Sequence, residues 1–191
     1  MLNLVLFGKP GSGKGTQANF LKDKYDLIHI STGDVFRKNI KNQTELGVKA
    51  QGYTQNGELV PDDVTVSMLE NEIKQNLPCN GFIFDGFPRT LNQADEMNNI
   101  LFKYKMELSA IVALEVDDDL LTDRLLKRGL ISGRSDDQSR EKILTRLNEY
   151  RNKTEPLIDY YSKINRFHSV SGVGEINEIS SRLLDLIESV R

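Results

Sequence analysis

The chain has 191 residues, 38% of them hydrophobic, a formal net charge of −3 and one cysteine. That length and apolar content suffice for a single well-buried domain, and the acidic balance, with no block of consecutive Lys and Arg, argues against nucleic acid as a partner. One thiol, Cys79, excludes an intrachain disulfide and a cysteine-based zinc cluster, so no zinc is expected.

The longest internal apolar run, Ala110 to Leu114, is far below a membrane span. A strand that begins within a few residues of Met1 leaves no room for a signal peptide. A soluble cytoplasmic protein without membrane association is the expectation.

The first element is the apolar run Leu2–Phe7, read as a strand. Gly8-Lys9-Pro10-Gly11-Ser12-Gly13-Lys14-Gly15-Thr16 follows directly, and a helix-forming stretch, Gln17 to Lys24, comes next. Strand, glycine-rich turn and helix place Gly-x-x-x-x-Gly-Lys where a phosphate is cradled. The glycines let the backbone wrap closely, the free N–H groups and helix N-terminus aim positive charge at the phosphate, and Lys14 reaches its outer oxygens. A nucleoside triphosphate is the expected ligand. The residue after the lysine is commonly Ser or Thr, whose hydroxyl ligates Mg²⁺. Here it is Gly15, and the hydroxyl falls on Thr16, so the metal is expected to be held more by nucleotide and water than by this loop.

Leu27–Ile30 reads as the second strand. Ser31–Val60 reads as a helical insertion with breaks at Gly47, Gly52 and Gly57. The third strand, Phe82–Phe84, runs into Asp85-Gly86-Phe87-Pro88-Arg89. A carboxylate at the end of an apolar strand beside a phosphate loop is where Mg²⁺ is usually held, directly or through water, which makes Asp85 the candidate. Arg89 can fork onto a phosphate.

Ala110–Val116 is the fourth strand, and Asp117-Asp118-Asp119 reads as the cap of the helix that begins near Leu120. Arg124 and Arg128 share a face of that helix. The short loop Gly129–Asp137 carries Arg134, and Arg140 and Arg146 follow it. Several arginines flanking a flexible loop suggest a clamp for a polyanion. Pro156 should break the helical pattern of residues 138–161 near Thr154, and Tyr150, Tyr160 and Tyr161 read as packing residues. Arg166–Val170 is the fifth strand. The last helix aligns Ile176, Ile179, Leu183, Leu186, Ile187 and Val190 on one face. Near-continuous apolar strands between helices predict an α/β fold, with a parallel sheet covered on both faces and ligands at the carboxyl ends of its strands. His29 and His168 share no metal-ligand spacing and read as structural.

These motifs, together with Ser31-Thr32-Gly33-Asp34-Val35-Phe36-Arg37, Gly57-Glu58-Leu59-Val60-Pro61, Gln93 and Gly133-Arg134-Ser135-Asp136-Asp137, resemble the adenylate kinases, over essentially the whole chain. The resemblance, to the short-lid type of this nucleoside monophosphate kinase family, implies a P-loop three-layer sandwich with a five-stranded parallel sheet. It implies one domain over residues 1–191: a core of 1–30, 61–128 and 138–191, a monophosphate-binding insertion at 31–60, and a lid at 129–137. The implied reaction is reversible, Mg²⁺-dependent transfer of the ATP γ-phosphoryl group to AMP, giving two ADP, by a monomer.

Residue by residue, Gly11, Ser12, Gly13, Lys14, Gly15, Thr16, Arg124, Arg128 and Gly174 match ATP-binding positions. Thr32, Gly33, Arg37, Leu59, Val60, Gly86, Arg89, Gln93, Arg134 and Arg146 match AMP-binding positions, with Arg37 and Arg89 on the phosphate and Gln93 on the adenine. Lys14, Asp85, Arg89, Arg124, Arg134 and Arg146 match catalytic positions, Asp85 holding Mg²⁺ through water. The chain departs from the pattern at Lys9, which either adds charge beside the phosphates or points to solvent. It also carries one extra residue between Asp137 and Leu147, so Arg140 competes with Arg146 as the last clamp arginine.

The phosphate oxygen of AMP is already ionised at neutral pH, so no side-chain base is required. A UMP/CMP kinase of the same fold is the alternative, against which Thr32 and Gln93 resemble the AMP-specific pattern. A GTP-dependent switch needs Asp-x-x-Gly, and no glycine here has Asp three residues before it. Asn152-Lys153-Thr154-Glu155 is a chance likeness to a guanine-reading motif. A regulator that only binds nucleotide has no need of the full arginine set.

Overall fold

A computed structural model of the chain describes residues 1–190. Five strands, β1 (Leu2–Phe7), β2 (Ile28–Ser31), β3 (Gly81–Asp85), β4 (Ala110–Glu115) and β5 (Phe167–Ser171), form one parallel sheet in the order β2-β3-β1-β4-β5. Alternation along β1 divides the core in two. Val5 and Phe7 join Phe82, Phe84 and Ile111 on the face covered by α4 (Asp62–Asn76), α5 (Leu91–Lys103) and α8 (Leu157–Ser162). Leu4 and Leu6 join Ile83, Val112 and Leu114 on the face covered by α1 (Lys14–Tyr25) and α9 (Ile176–Val190). The α9 face expected from its apolar spacing packs, with Leu183 and Ile187 fully buried, except at its first residue, Ile176, which is exposed. Tyr150 and Tyr161 are buried core residues, and Tyr160 donates to Asp95 at 2.8 Å.

Parallel registry brings the functional segments to one edge. Leu6 and Ser31 both pair in register with Asp85. The chain leaving β1, the helix after β2 and the turn after β3 therefore start side by side. Two smaller cores flank that edge. One, around Phe36, Ala50, Val60 and Met68, joins α2 (Thr32–Lys41), α3 (Glu45–Asn56) and α4. The other, around Leu121, Leu125, Ile143 and Leu147, joins α6 (Asp118–Ser132) to α7 (Arg140–Glu149).

Several local expectations are corrected. Gly47 and Gly52 do not break the insertion; both lie inside α3, and the break falls at residues 42–44, where Gln43 takes φ 53°. Gly47 is there because α2 runs too close for a side chain: a Cβ on it would sit 2.2 Å from the Asn39 carbonyl oxygen. The loop expected from Gly129 begins four residues later, since α6 continues to Ser132 and Gly133 ends it with φ 66°. Gly129 lies inside this helix, and glycine is required there because the Asp137 carbonyl oxygen approaches to 2.6 Å of where a Cβ would be. Asp117 stands at the N-cap of α6 but makes no side-chain cap. The helical pattern before Pro156 widens into a π-turn at Tyr150–Thr154 and restarts as α8.

Adding one methyl group in this crowded place should force α2 and α3 apart. Gly47→Ala is expected to lower stability by about 2 kcal/mol, read from the shift of the urea unfolding midpoint.

Candidate active site

The glycine-rich loop is shaped by what surrounds it. Gly8 takes φ 132°, and a Cβ there would lie 2.7 Å from the carbonyl oxygen of Leu114 in β4, so only glycine fits. Gly13 caps α1 without a side chain, which leaves the first N–H groups of the helix free to face the cleft. Lys14 folds back over the loop and donates from Nζ to the carbonyls of Gly8 at 2.7 Å and Lys9 at 3.0 Å. The surrounding protein strips water from its ammonium. Arg89, Arg128 and Arg146 add repulsion, against attraction from Asp85, and the pKa falls to about 8.

At the end of β3, Asp85 is 14% exposed. Desolvation works against its ionisation, but His29, Lys14 and Arg89 outweigh it and hold the carboxyl below the usual carboxylate range. His29 Nε2 stands 3.6 Å from Asp85 Oδ2, so this imidazole, read as structural, lines the cleft. Arg89 donates from Nε to the Gly86 carbonyl at 2.7 Å. Desolvation draws its pKa down from the ordinary value while the guanidinium stays charged. Among the described residues, neither Lys14 nor Arg89 forms an ion pair with a carboxylate.

Arg37, Arg128, Arg134 and Arg146 are held by acids, whereas Arg124 donates from Nη1 to the Gly172 carbonyl at 3.5 Å. Asp137, fully buried, accepts from Arg128 Nε at 2.6 Å and pairs with Arg146, which also reaches Asp136 at 2.6 Å. A second nitrogen of Arg128, Nη2, is buried without a partner. Asp34 in α2 accepts from Arg37 at 2.5 Å and from Arg134, beyond α6, at 3.4 Å. One carboxylate thus joins the two segments that flank the sheet edge. Asp34, Asp136 and Asp137 lie inside the sequence motifs without a role read from them; the available signal was local, Asp34 three residues before Arg37 and Asp136 two after Arg134.

Two adjoining cavities, of about 510 Å³ and 310 Å³, are lined by these groups. All the site residues expected from the sequence reach the wall of one or both, except Ser12 and Gly174. Ser12 is buried under the loop, its Oγ 3.4 Å from Lys14 Nζ. Gly174 is exposed on the connection from β5 to α9. Arg146 lines both cavities and is 14% exposed, whereas Arg140 is exposed and lines neither. Lys9 turns neither to the phosphate loop's interior nor freely to solvent. Its Nζ pairs with Asp118 at 2.6 Å, and Asp118, the first residue of α6 rather than its cap, also holds Arg151.

A parallel sheet whose central strand feeds a glycine loop and lysine, faced by arginines across a cleft, defines an α/β P-loop kinase fold. Residues 6–166 match the sequence profile of the adenylate kinases. The chain is 55% identical to the adenylate kinase of Flavobacterium psychrophilum and 53% identical to that of Flavobacterium johnsoniae, each over the full length of both chains. It is 46% identical to the adenylate kinase of Porphyromonas gingivalis over all of this chain and 98% of that one. The chain belongs to the adenylate kinase family.

Because Asp137 neutralises two arginines at once, its loss leaves both without their shared acceptor. Asp137→Ala should lower folding stability by about 2–3 kcal/mol, measured by thermal or urea unfolding, while a double variant that also replaces Arg128 should recover part of it.

Proposed function

We propose that the larger cavity holds ATP on the Gly8–Thr16 loop and the adjoining one holds AMP, with the phosphoryl group passing between Lys14 and Arg89. As a member of its family the chain is a phosphotransferase catalysing ATP + AMP = 2 ADP. What supports this placement is the pair of recessed cations, Lys14 and Arg89, whose partners are carbonyl and hydroxyl oxygens rather than acids. An anion between them relieves the desolvation that both carry. A transferring phosphoryl group spreads charge over its oxygens, so positioned cations supply the catalysis and no base is needed. Arg124, Arg128, Arg134 and Arg146 are read as the rest of that clamp, and Arg37 as the second grip on the AMP phosphate. Thr16, Thr32, Gly33, Leu59, Val60, Gly86 and Gln93 shape the two nucleotide pockets, with Gly174 on the loop at the far end of the ATP.

The donor set suits Mg²⁺. Asp85 is a single ionised carboxylate, close enough to the start of α1 that a Cβ on Gly15 would lie 3.8 Å from its Oδ2. No group of three or more His, Cys, Asp or Glu able to hold a metal occurs among the described residues. Magnesium keeps most of its waters and binds nucleotide phosphates, so one such carboxylate, acting through water, fits it. When bound, the ion neutralises charge on the triphosphate oxygens. Residues 31–60 and 129–137 are read as two flaps that close to exclude water, which would otherwise replace AMP as acceptor. No described helix is long and apolar enough to cross a membrane. On the family pattern, the protein works as a cytoplasmic monomer. A pyrimidine monophosphate as acceptor is not favoured, since the relatives found across the full chain are adenylate kinases.

Replacing Arg89 with Ala should lower kcat by about 10²–10³-fold in ADP formation from MgATP and AMP, with ATP affinity changed by less than about threefold. Near-normal turnover would contradict the placement. Lys14 gives a pH signature. Its proton is lost in the free protein as pH rises through about 8, whereas bound phosphate favours the charged form. ATP binding above that pH must therefore take up a proton. Affinity measured by titration calorimetry should fall with rising pH, towards tenfold per unit, and Lys14→Arg should lose this slope whatever its absolute affinity.

A further inference from the structure

Gln93 is 2% exposed at the wall of the smaller cavity, and half of its amide is already engaged. Its Oε1 accepts the backbone N–H of Arg89 at 2.8 Å, and its Nε2 donates to Oδ1 of Asp62 at 2.6 Å. Asp62, the first residue of α4, accepts on its other oxygen from Thr90 Oγ1 at 2.8 Å and Asn92 Nδ2 at 3.2 Å. Thr90 Oγ1 in turn accepts the backbone N–H of Gln93 at 3.1 Å. An ionised carboxylate only accepts hydrogen bonds and a backbone N–H only donates. Rotating the Gln93 amide by half a turn would set N–H against N–H at Arg89 and oxygen against oxygen at Asp62. The amide therefore has one permitted orientation, with one N–H and one oxygen lone pair left over.

We propose that Asp62 is a positioning residue that determines base specificity by locking the Gln93 amide. This rests on the reading that the smaller cavity takes AMP with its base on Gln93. A 6-aminopurine offers an N–H at its 6-position and a ring-nitrogen acceptor beside it, which one acceptor and one donor of an amide satisfy together. A 6-oxopurine presents the reverse along its Watson–Crick edge, an acceptor at the 6-position and an N–H at N1. An amide free to turn over serves either base. Held by Asp62 and the Arg89 N–H, it serves the amino form and leaves the oxo form with unpaired polar groups, the kind of mismatch that discriminates strongly.

The test is steady-state kinetics with MgATP and AMP, IMP or GMP for the wild-type protein and for Asp62→Asn, Asp62→Ala and Gln93→Ala. Both Asp62 substitutions should raise KM for AMP about tenfold and lower the kcat/KM preference for AMP over IMP by at least about tenfold, with KM for ATP within about twofold of wild type. Combining Asp62→Asn with Gln93→Ala should reduce the preference no further than Gln93→Ala alone, because the lock acts through the amide. If Gln93→Ala abolishes the preference while both Asp62 variants keep it, the lock is overturned and the base reading stands. If Gln93→Ala itself keeps the preference, the base reading fails and the lock with it. Equal rises of KM for both nucleotides in the Asp62 variants, with a lowered thermal midpoint and an unchanged AMP-to-IMP ratio, would make Asp62 merely structural and also overturn the proposal.

Discussion

Lys14 and Arg89 carry charge at the sheet edge where protein has displaced most of the water, and their hydrogen-bond partners are carbonyl and hydroxyl oxygens. Dipoles compensate a charge only partly, so each cation remains at a cost that an anion would offset. The arrangement around them follows from this. Asp85 is close enough to attract Lys14 and Arg89, and is itself kept ionised partly by them. Asp34, Asp136 and Asp137 neutralise Arg37, Arg128, Arg134 and Arg146 within the protein. Most of the cleft's cations are paired with acids, and among the described residues Lys14, Arg89 and Arg124 are not, which keeps the cleft receptive to an anion.

The parallel sheet makes this concentration of charge possible. All strands point the same way, so each βα connection opens on one edge, where helix N-termini add their own positive ends. Registry puts Leu6, Ser31 and Asp85 abreast, which sets the glycine loop, the start of α2 and the acid within one small volume. The segments on either side have only small cores of their own, four to five buried apolar residues each. Asp34 ties one to the other through Arg134, a contact at 3.4 Å that is exposed and weak by comparison with the buried Asp137 pairs. Rigid sheet edge and lightly held flanks are the division of labour expected where a site must open and close.

Much of this was legible in the residues. The order strand, glycine loop, lysine, helix is local and carries its mechanism with it. The strands read true within a residue or two: the apolar runs of β1, β3 and β4 are the signature of burial on both faces, while the edge strands β2 and β5 are only partly buried. The glycines misled where they serve close packing rather than turning. Gly47 and Gly129 look like breaks in a sequence but sit in helices pressed against Asn39 and Asp137.

What the sequence by itself determined was the chemistry available: a phosphate loop, a strand-end acid, and a set of arginines flanking a short connection. Which arginine faces the cleft was decided only in three dimensions. Arg140 and Arg146 both belong to α7, but the helix turns one outward and the other onto Asp136 and Asp137. The same holds for Lys9 on Asp118, Arg134 on Asp34 and Gln93 on Asp62, partners separated by 109, 100 and 31 residues. A hydrogen bond or ion pair is set by distance and direction in space. Local spacing along a chain carries that information only within a helix or strand, so contacts between elements had to await the fold.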